Sequence, residues 1–274
     1  MNRKLAITFT FAGMILWTSC TEVNPLISDE KLIVVWVYLY AGEPATNIKL
    51  NSTIPLDDNT AYAPPINDAI VTLLKDGVRY ECVSSPGDSG YYHYPGEDMT
   101  IETGDEFTLD IEQADHFISA KTVVPEMPLH FTVTSNTMEV PDFSNPQGLR
   151  EWRNNAQPIE ISWENNDDSW YYITFENVDD NPVEFNSWFN ERLQDFIFPP
   201  VNDDSFMIRL PLITHLGMHR ITVYKVNQEY VDLYESREQD SRDLNEPLTN
   251  VEGGLGIFSA FNSSSLFLNV IQSN

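Results

Sequence analysis

Hydrophobic and polar residues alternate over short stretches through most of this chain, and Gly, Pro, Asn and Asp bound the stretches. That pattern predicts strands joined by turns. Residues 31–40, KLIVVWVYLY, are β-branched or aromatic at nearly every position, which predicts a strand buried on both faces. NIKLNST, at 47–53, can pair with it. In NDAIVTLLKDGVRYECV, Asp76-Gly77 lies between two apolar runs and predicts a two-residue hairpin turn. GYYHY, TIETGDEFTLDI and HFISAKTVV complete a series of short strands at sandwich-like spacing, and Pro125 and Pro128 bracket a boundary.

The second half is more mixed. FTVTS, IEISW, SWYYITFEN, SFMIRL and HRITVYKV read as strands. Between them, Ser187 can cap a helix whose Phe189, Leu193, Phe196 and Ile197 share a face and which stops at Pro199-Pro200. A second helix is expected from Gln228 to about Arg242, with Tyr230, Leu233 and Tyr234 inward. Two apolar segments, GLGIFSAF and SLFLNVI, close the chain. The expected fold is mainly β: an amino-terminal β-sandwich followed by a second β-rich domain with one or two short helices.

The amino end follows a different rule. Arg3 and Lys4 precede an apolar run from Leu5 to Trp17, then Thr18, Ser19 and Cys20. The run is too short for a bilayer-spanning helix, which needs about 20 residues. It has the layout of a signal peptide of the bacterial lipoprotein kind, with Cys20 as the lipidated residue. An ordinary secretory signal with an incidental cysteine is the competing reading. Two or more acyl chains would anchor the protein stably. The expected organisation is a signal peptide at 1–19, a lipidated tether at 20–30, a β-sandwich domain at 31–126 and a β-rich domain at 127–274.

Charge narrows the list of partners. The chain carries 42 Asp and Glu against 15 Lys and Arg, and two of the basic residues leave with the signal. Such a surface repels nucleic acid and anionic headgroups, so no nucleic-acid partner is expected. Hydrophobic content of 42% with 12% aromatic residues calls for a packed fold instead of an acidic disordered tail. With Cys20 acylated, Cys82 has no partner for an internal disulfide and is expected to be a buried, unreactive thiol.

Candidate chemistry is thin. The Asp pairs at 57–58, 167–168, 179–180 and 203–204 do not fit an EF-hand loop and read as solvated turns. His215 and His219 have the four-residue spacing of a helical zinc pair, but THLGMH lacks the glutamate of HExxH and runs into a strand. The glycines of GGLGIF, 253–258, belong to no phosphate-binding loop and instead allow a bulge or a tight backbone contact. Tyr91, Tyr92, His93 and Tyr94 form either a ligand-stacking edge or ordinary alternation on a packed strand. No metal, cofactor or catalytic residue is expected, and no ligand is legible.

Several segments together carry a resemblance. These are the lipoprotein cysteine, LIVVWVYLYAGEPATNIKL, INDAIVTLLKDG, TGDEFTLDI leading into SAKTVVP, and above all NEPLTNVEGGLGIFSAFNSS from Asn245 onward. In this order they resemble the Bacteroidota outer-membrane lipoprotein family catalogued as domain of unknown function 4249. The resemblance implies an extracytoplasmic lipoprotein with an immunoglobulin-like or prealbumin-like amino-terminal sandwich. It also implies genes that often neighbour those of TonB-dependent transporters. It brings no catalytic residues. The expectation is therefore an outer-membrane lipoprotein, anchored by lipid on the periplasmic or cell-surface face, that acts as a non-enzymatic accessory or binding partner of a TonB-dependent nutrient transporter. The alternatives are a structural or adhesive surface lipoprotein and a cryptic hydrolase.

Overall fold

The strand expected at 31–40 forms β1 (Ile33–Tyr40), and its alternation sorts its side chains. Ile33, Val35, Val37 and Leu39 are buried, while the residues between them are half-buried. The expectation of burial on both faces therefore holds for one face only; the residues of the other are half-buried. The structure is a computed structural model that describes residues 32–54, 62–143, 145–185, 199–237 and 249–273. Cys20, the signal peptide, Asp57-Asp58 and the helix expected after Ser187 lie outside the described residues.

β2 (Ile48–Ser52) pairs antiparallel with β1. β3 (Ile70–Lys75) and β4 (Val78–Ser84) form the expected hairpin. Asp76 and Gly77 both have positive φ, 51° and 78°. That is the mirror-image turn whose twist suits a hairpin, and glycine adopts it without strain. β5 (Tyr91–His93), β6 (Glu106–Gln113) and β7 (His116–Val123) follow, then β8 (Thr132–Val133) and β9 (Thr137–Val140).

A helix that the apolar pattern does not announce, α1 (Pro146–Asn155), comes next. Asn145 caps it, its side-chain oxygen accepting from the Gln147 and Gly148 amides at 3.1 Å, and Pro146 sits in the first turn, where no amide donor is required. α1 has no buried residue, which is why hydrophobic spacing gave no sign of it. The chain continues through β10 (Ile159–Ser162), β11 (Trp170–Asn177), β12 (Val183–Glu184), β13 (Ser205–Ile208) and β14 (His215–Val226). α2 (Gln228–Arg237) is the second expected helix. β15 (Val251–Glu252) and β16 (Leu255–Gln272) end it. The two apolar segments expected near the carboxyl end are thus one 18-residue strand.

The protein is mainly β. Its principal sheet runs β11-β14-β16-β1-β2-β5-β4-β3-β6-β7-β15, with β12 on β14 and β9 on β16, while β13-β10-β8 form a second sheet. The strands expected to make an amino-terminal sandwich thus lie in one curled sheet with strands of the second half. Lys31–Asn274 forms one compact unit. Its aliphatic core has two main clusters. One is drawn largely from residues 33–124; the other, drawn largely from residues 138–223, includes Trp163, whose ring is tilted against that of Tyr171 with centroids 5.2 Å apart. β16 serves both, with Phe258 and Ala260 in the first and Leu268 and Val270 in the second.

The parallel docking of β16 on β1 depends on the glycines of the carboxyl-terminal motif. Gly256 has φ +108°, and a Cβ there would overlap the Val35 carbonyl oxygen; one on Gly254 would stand 2.9 Å from the Ile33 carbonyl oxygen. The tight backbone contact expected for these glycines is the one observed. Asn250 secures the same corner by accepting from the Phe258 amide at 3.0 Å and donating to its carbonyl at 2.7 Å.

Candidate ligand-binding site

Alternation along four neighbouring strands brings one class of side chain to one face. Tyr40 on β1 lies beside Phe261 on β16, which lies beside Val226 on β14, and Tyr224 on β14 lies opposite Tyr172 on β11. Across this face the rings form a circuit. Centroids are 6.3 Å apart for Tyr38 and Tyr230, 6.0 Å for Tyr230 and Tyr172, 6.3 Å for Tyr172 and Tyr224, and 6.0 Å for Tyr224 and Tyr40. Phe261 is the floor, 5.1–5.6 Å from Tyr230, Tyr40 and Tyr38. Most of the pairs meet edge to face, the arrangement that the ring quadrupole favours.

α2 completes the wall with Tyr230, Leu233 and Tyr234. The result is a recess of about 330 Å³ that contains six of the chain's 12 tyrosines. This lies at the lower end of the range for small-molecule sites, about 300–1,000 Å³. Thr174 also lines it and is hydrogen-bonded to the Tyr224 hydroxyl.

The helix is held over the sheet by a polar pin at its start. Glu229 Oε1 accepts from Thr122 Oγ1 at 2.8 Å, Ser259 Oγ at 3.0 Å and Asn227 Nδ2 at 3.1 Å. Asn227 Nδ2 also reaches the Val123 carbonyl at 2.8 Å. One carboxylate thus ties α2 to β7 and β16, and its buried partners would be left unsatisfied by its loss. The position of Tyr230, one residue on, follows from that pin.

The electrostatics of the recess are those of neutral phenols beside carboxylates. Burial, with further contributions from Tyr224, Tyr38 and Glu43, pushes the Tyr40 hydroxyl up to about 12. Burial likewise raises Tyr172 and Tyr224, with Glu43 adding to the latter. These three hydroxyls therefore stay protonated at physiological pH. Glu43 lines a separate recess of about 290 Å³ together with Glu97 and Glu102.

A larger recess, about 770 Å³, lies between α1 and β9, but its one aromatic side chain, Trp152, spends its indole N–H on the Glu139 carbonyl at 2.7 Å. Its described walls are polar and apolar in about equal measure, and no set of rings converges on it. The tyrosine recess is the better candidate.

The residues singled out in the sequence fall elsewhere. His215 and His219 both lie on β14, so four extended residues separate them by about 13 Å, too far to share a metal. His219 is buried, which lowers its pKa. Among the described residues, no group of three or more His, Cys, Asp or Glu could hold a metal ion. Cys82 is a buried free thiol pushed up to about 12 by burial. Tyr91, Tyr92 and Tyr94 do not form one edge. Tyr91 lies under the Lys49 ammonium, Tyr92 is buried with its hydroxyl donating to the Ile66 carbonyl at 3.0 Å, and Tyr94 packs on Tyr80. The Asp pairs within the described residues sit in turns: Asp167 meets Lys225 at 2.6 Å, and Asp179 accepts from the Met218 amide at 3.1 Å. Among the described residues, no helix is long and apolar enough to cross a membrane.

A curled β fold with a tyrosine-lined recess on its principal sheet is the class of protein these features define. The chain belongs to the family described as Domain of unknown function (DUF4249), whose model matches residues 21–266. No curated protein matches it.

Proposed function

We propose that this protein is a lipid-anchored lipoprotein of the outer membrane, tethered through Cys20, that binds a solute without transforming it and serves as an accessory to a TonB-dependent nutrient transporter. The observation that carries the reading is the ring of five tyrosines around Phe261, a recess of small-molecule size built on four neighbouring strands of the principal sheet. Binding sites on strands are held more accurately than sites on loops, and the Glu229 pin holds the one helical wall. Membrane attachment would place such a recess beside a channel, where holding a solute raises its local concentration. An acidic surface would limit contact with other acidic envelope proteins, so a stable partner is expected to meet an apolar patch with a polar rim.

The test is affinity purification of the tagged protein from mild detergent, paired with a Cys20→Ala variant. Recovery of a TonB-dependent transporter with the native protein and a soluble or unprocessed Cys20→Ala product support the reading. Membrane fractionation of Cys20→Ala identical to the native protein contradicts the anchor. Recovery without any transporter, with normal growth of a deletion strain on every nutrient tried, contradicts the accessory role.

A further inference from the structure

We infer that the tyrosine recess takes an organic cation whose charged head is an alkylated ammonium; the inference rests on the solute-binding reading and names its ligand class. The rings supply the attraction. An aromatic face is the negative pole of its quadrupole, and several faces around one cavity bind an ammonium more strongly than water's competition would otherwise allow. Tyr38, Tyr40, Tyr172, Tyr224 and Tyr230 encircle Phe261 with neighbouring centroids at 5.1–6.3 Å, so a cation in the bowl meets several faces or rims at once.

Charge points the same way. Among the described residues that line the recess there is no lysine or arginine to pair with an anionic head. Glu43 does not line the recess, but it is near enough to raise the Tyr40 and Tyr224 hydroxyls, so negative charge lies on this side of the molecule. Arg220 also acts on Tyr224, but it faces Glu176 at 3.6 Å, which offsets it. The chain's formal net charge of −27 raises the local concentration of any cation.

The polar inventory argues against a sugar. A glycan needs amide, carboxylate or guanidinium groups matched to its hydroxyl edges, whereas the polar groups of the described lining are phenols and Thr174, itself bonded to Tyr224. A fully alkylated, quaternary ammonium, the member of this class that the recess suits best, has no N–H donor to satisfy, so it loses no hydrogen bond of its own on entering such a bowl. A recess of about 330 Å³ suits a head of that size.

Isothermal titration calorimetry of the full-length protein in non-ionic detergent tests this, with choline chloride and its uncharged carbon isostere 3,3-dimethylbutan-1-ol as probes. Saturable choline binding at least about tenfold tighter than the isostere is expected, the ratio corresponding to about 1.4 kcal/mol of charge-dependent attraction. Tyr40→Phe should retain binding, while Tyr40→Leu and Tyr224→Leu should each weaken it about tenfold with little change in melting temperature. Equal affinity for the two probes overturns the inference and leaves an apolar solute site. Binding undiminished in both leucine variants overturns it by placing choline elsewhere. Absence of choline binding, with glucose or another neutral solute titrating instead, overturns the ligand class alone. Recovery or loss of the transporter partner bears only on the accessory role.

Discussion

The two faces of the central strands have opposite characters. On β1, Val35, Val37 and Leu39 point into the aliphatic core at 0–1% exposure, while Tyr38 and Tyr40 point the other way and stay half-buried around a cavity. The same division recurs on β14, where Ile221 and Val223 are buried in the second core and Tyr224 lines the recess. Close-packed aliphatic side chains fill space and tolerate no gap. Large rings meeting edge to face leave one, and they keep polar tips at its surface. One face holds the fold together; the other is free to hold something else.

That contrast can be broken at its joint. Gly256→Val puts a β-branched side chain at φ +108° and against the Val35 carbonyl, separating β16 from β1 and removing both faces together. A loss of more than about 3 kcal/mol, or failure to fold, is expected in denaturant titration. Leu39→Ala tests the aliphatic face alone and should cost about 2–5 kcal/mol with the recess intact. Gly77→Val, in an exposed hairpin turn, should cost about 1 kcal/mol or more through backbone strain at φ 78°. Tyr40→Leu removes a ring stacked on Phe261, and its stability cost should stay at or below about 1 kcal/mol, well under that of Leu39→Ala one residue away. If the two adjacent residues cost the same, the faces do not differ.

The smallest effect is a pH slope in the second core. Burial lowers the pKa of His219 below 6.5 in the folded state, so the unfolded chain takes up its proton first as pH falls. Stability should be insensitive to this group above pH 6.5 and decline below it until the folded pKa is reached. His219→Gln should flatten that decline relative to the native protein in unfolding midpoints measured across the same range.

Much of this organisation is visible along the chain. KLIVVWVYLY announces β1 by composition and its two faces by alternation, and Asp76-Gly77 announces the hairpin by turn chemistry. SWYYITFEN and HRITVYKV carry the other strand tyrosines in plain view. What the sequence does not state is which strands become neighbours. Tyr40 meets Phe261 only because β16 docks parallel to β1, and Tyr224 meets Tyr172 only through the β11–β14 register. Residues more than 200 positions apart therefore form the bowl, while the conspicuous local run Tyr91–Tyr94 is divided between two sides of its strand. The glycines 253, 254 and 256 were the available signal for the close approach that makes the site, though not for the partner strand. α1 escaped because a surface helix buries nothing and leaves no apolar period to read.

The most direct test of a functional tyrosine face is fluorine NMR of protein labelled uniformly with 3-fluorotyrosine and titrated with choline chloride. Single Tyr→Phe variants assign the signals. Shifts are expected only at Tyr38, Tyr40, Tyr172, Tyr224, Tyr230 and Tyr234, with Tyr62, Tyr80, Tyr91, Tyr92, Tyr94 and Tyr171 unmoved. Shifts spread evenly over both sets, or confined to the second, would contradict it.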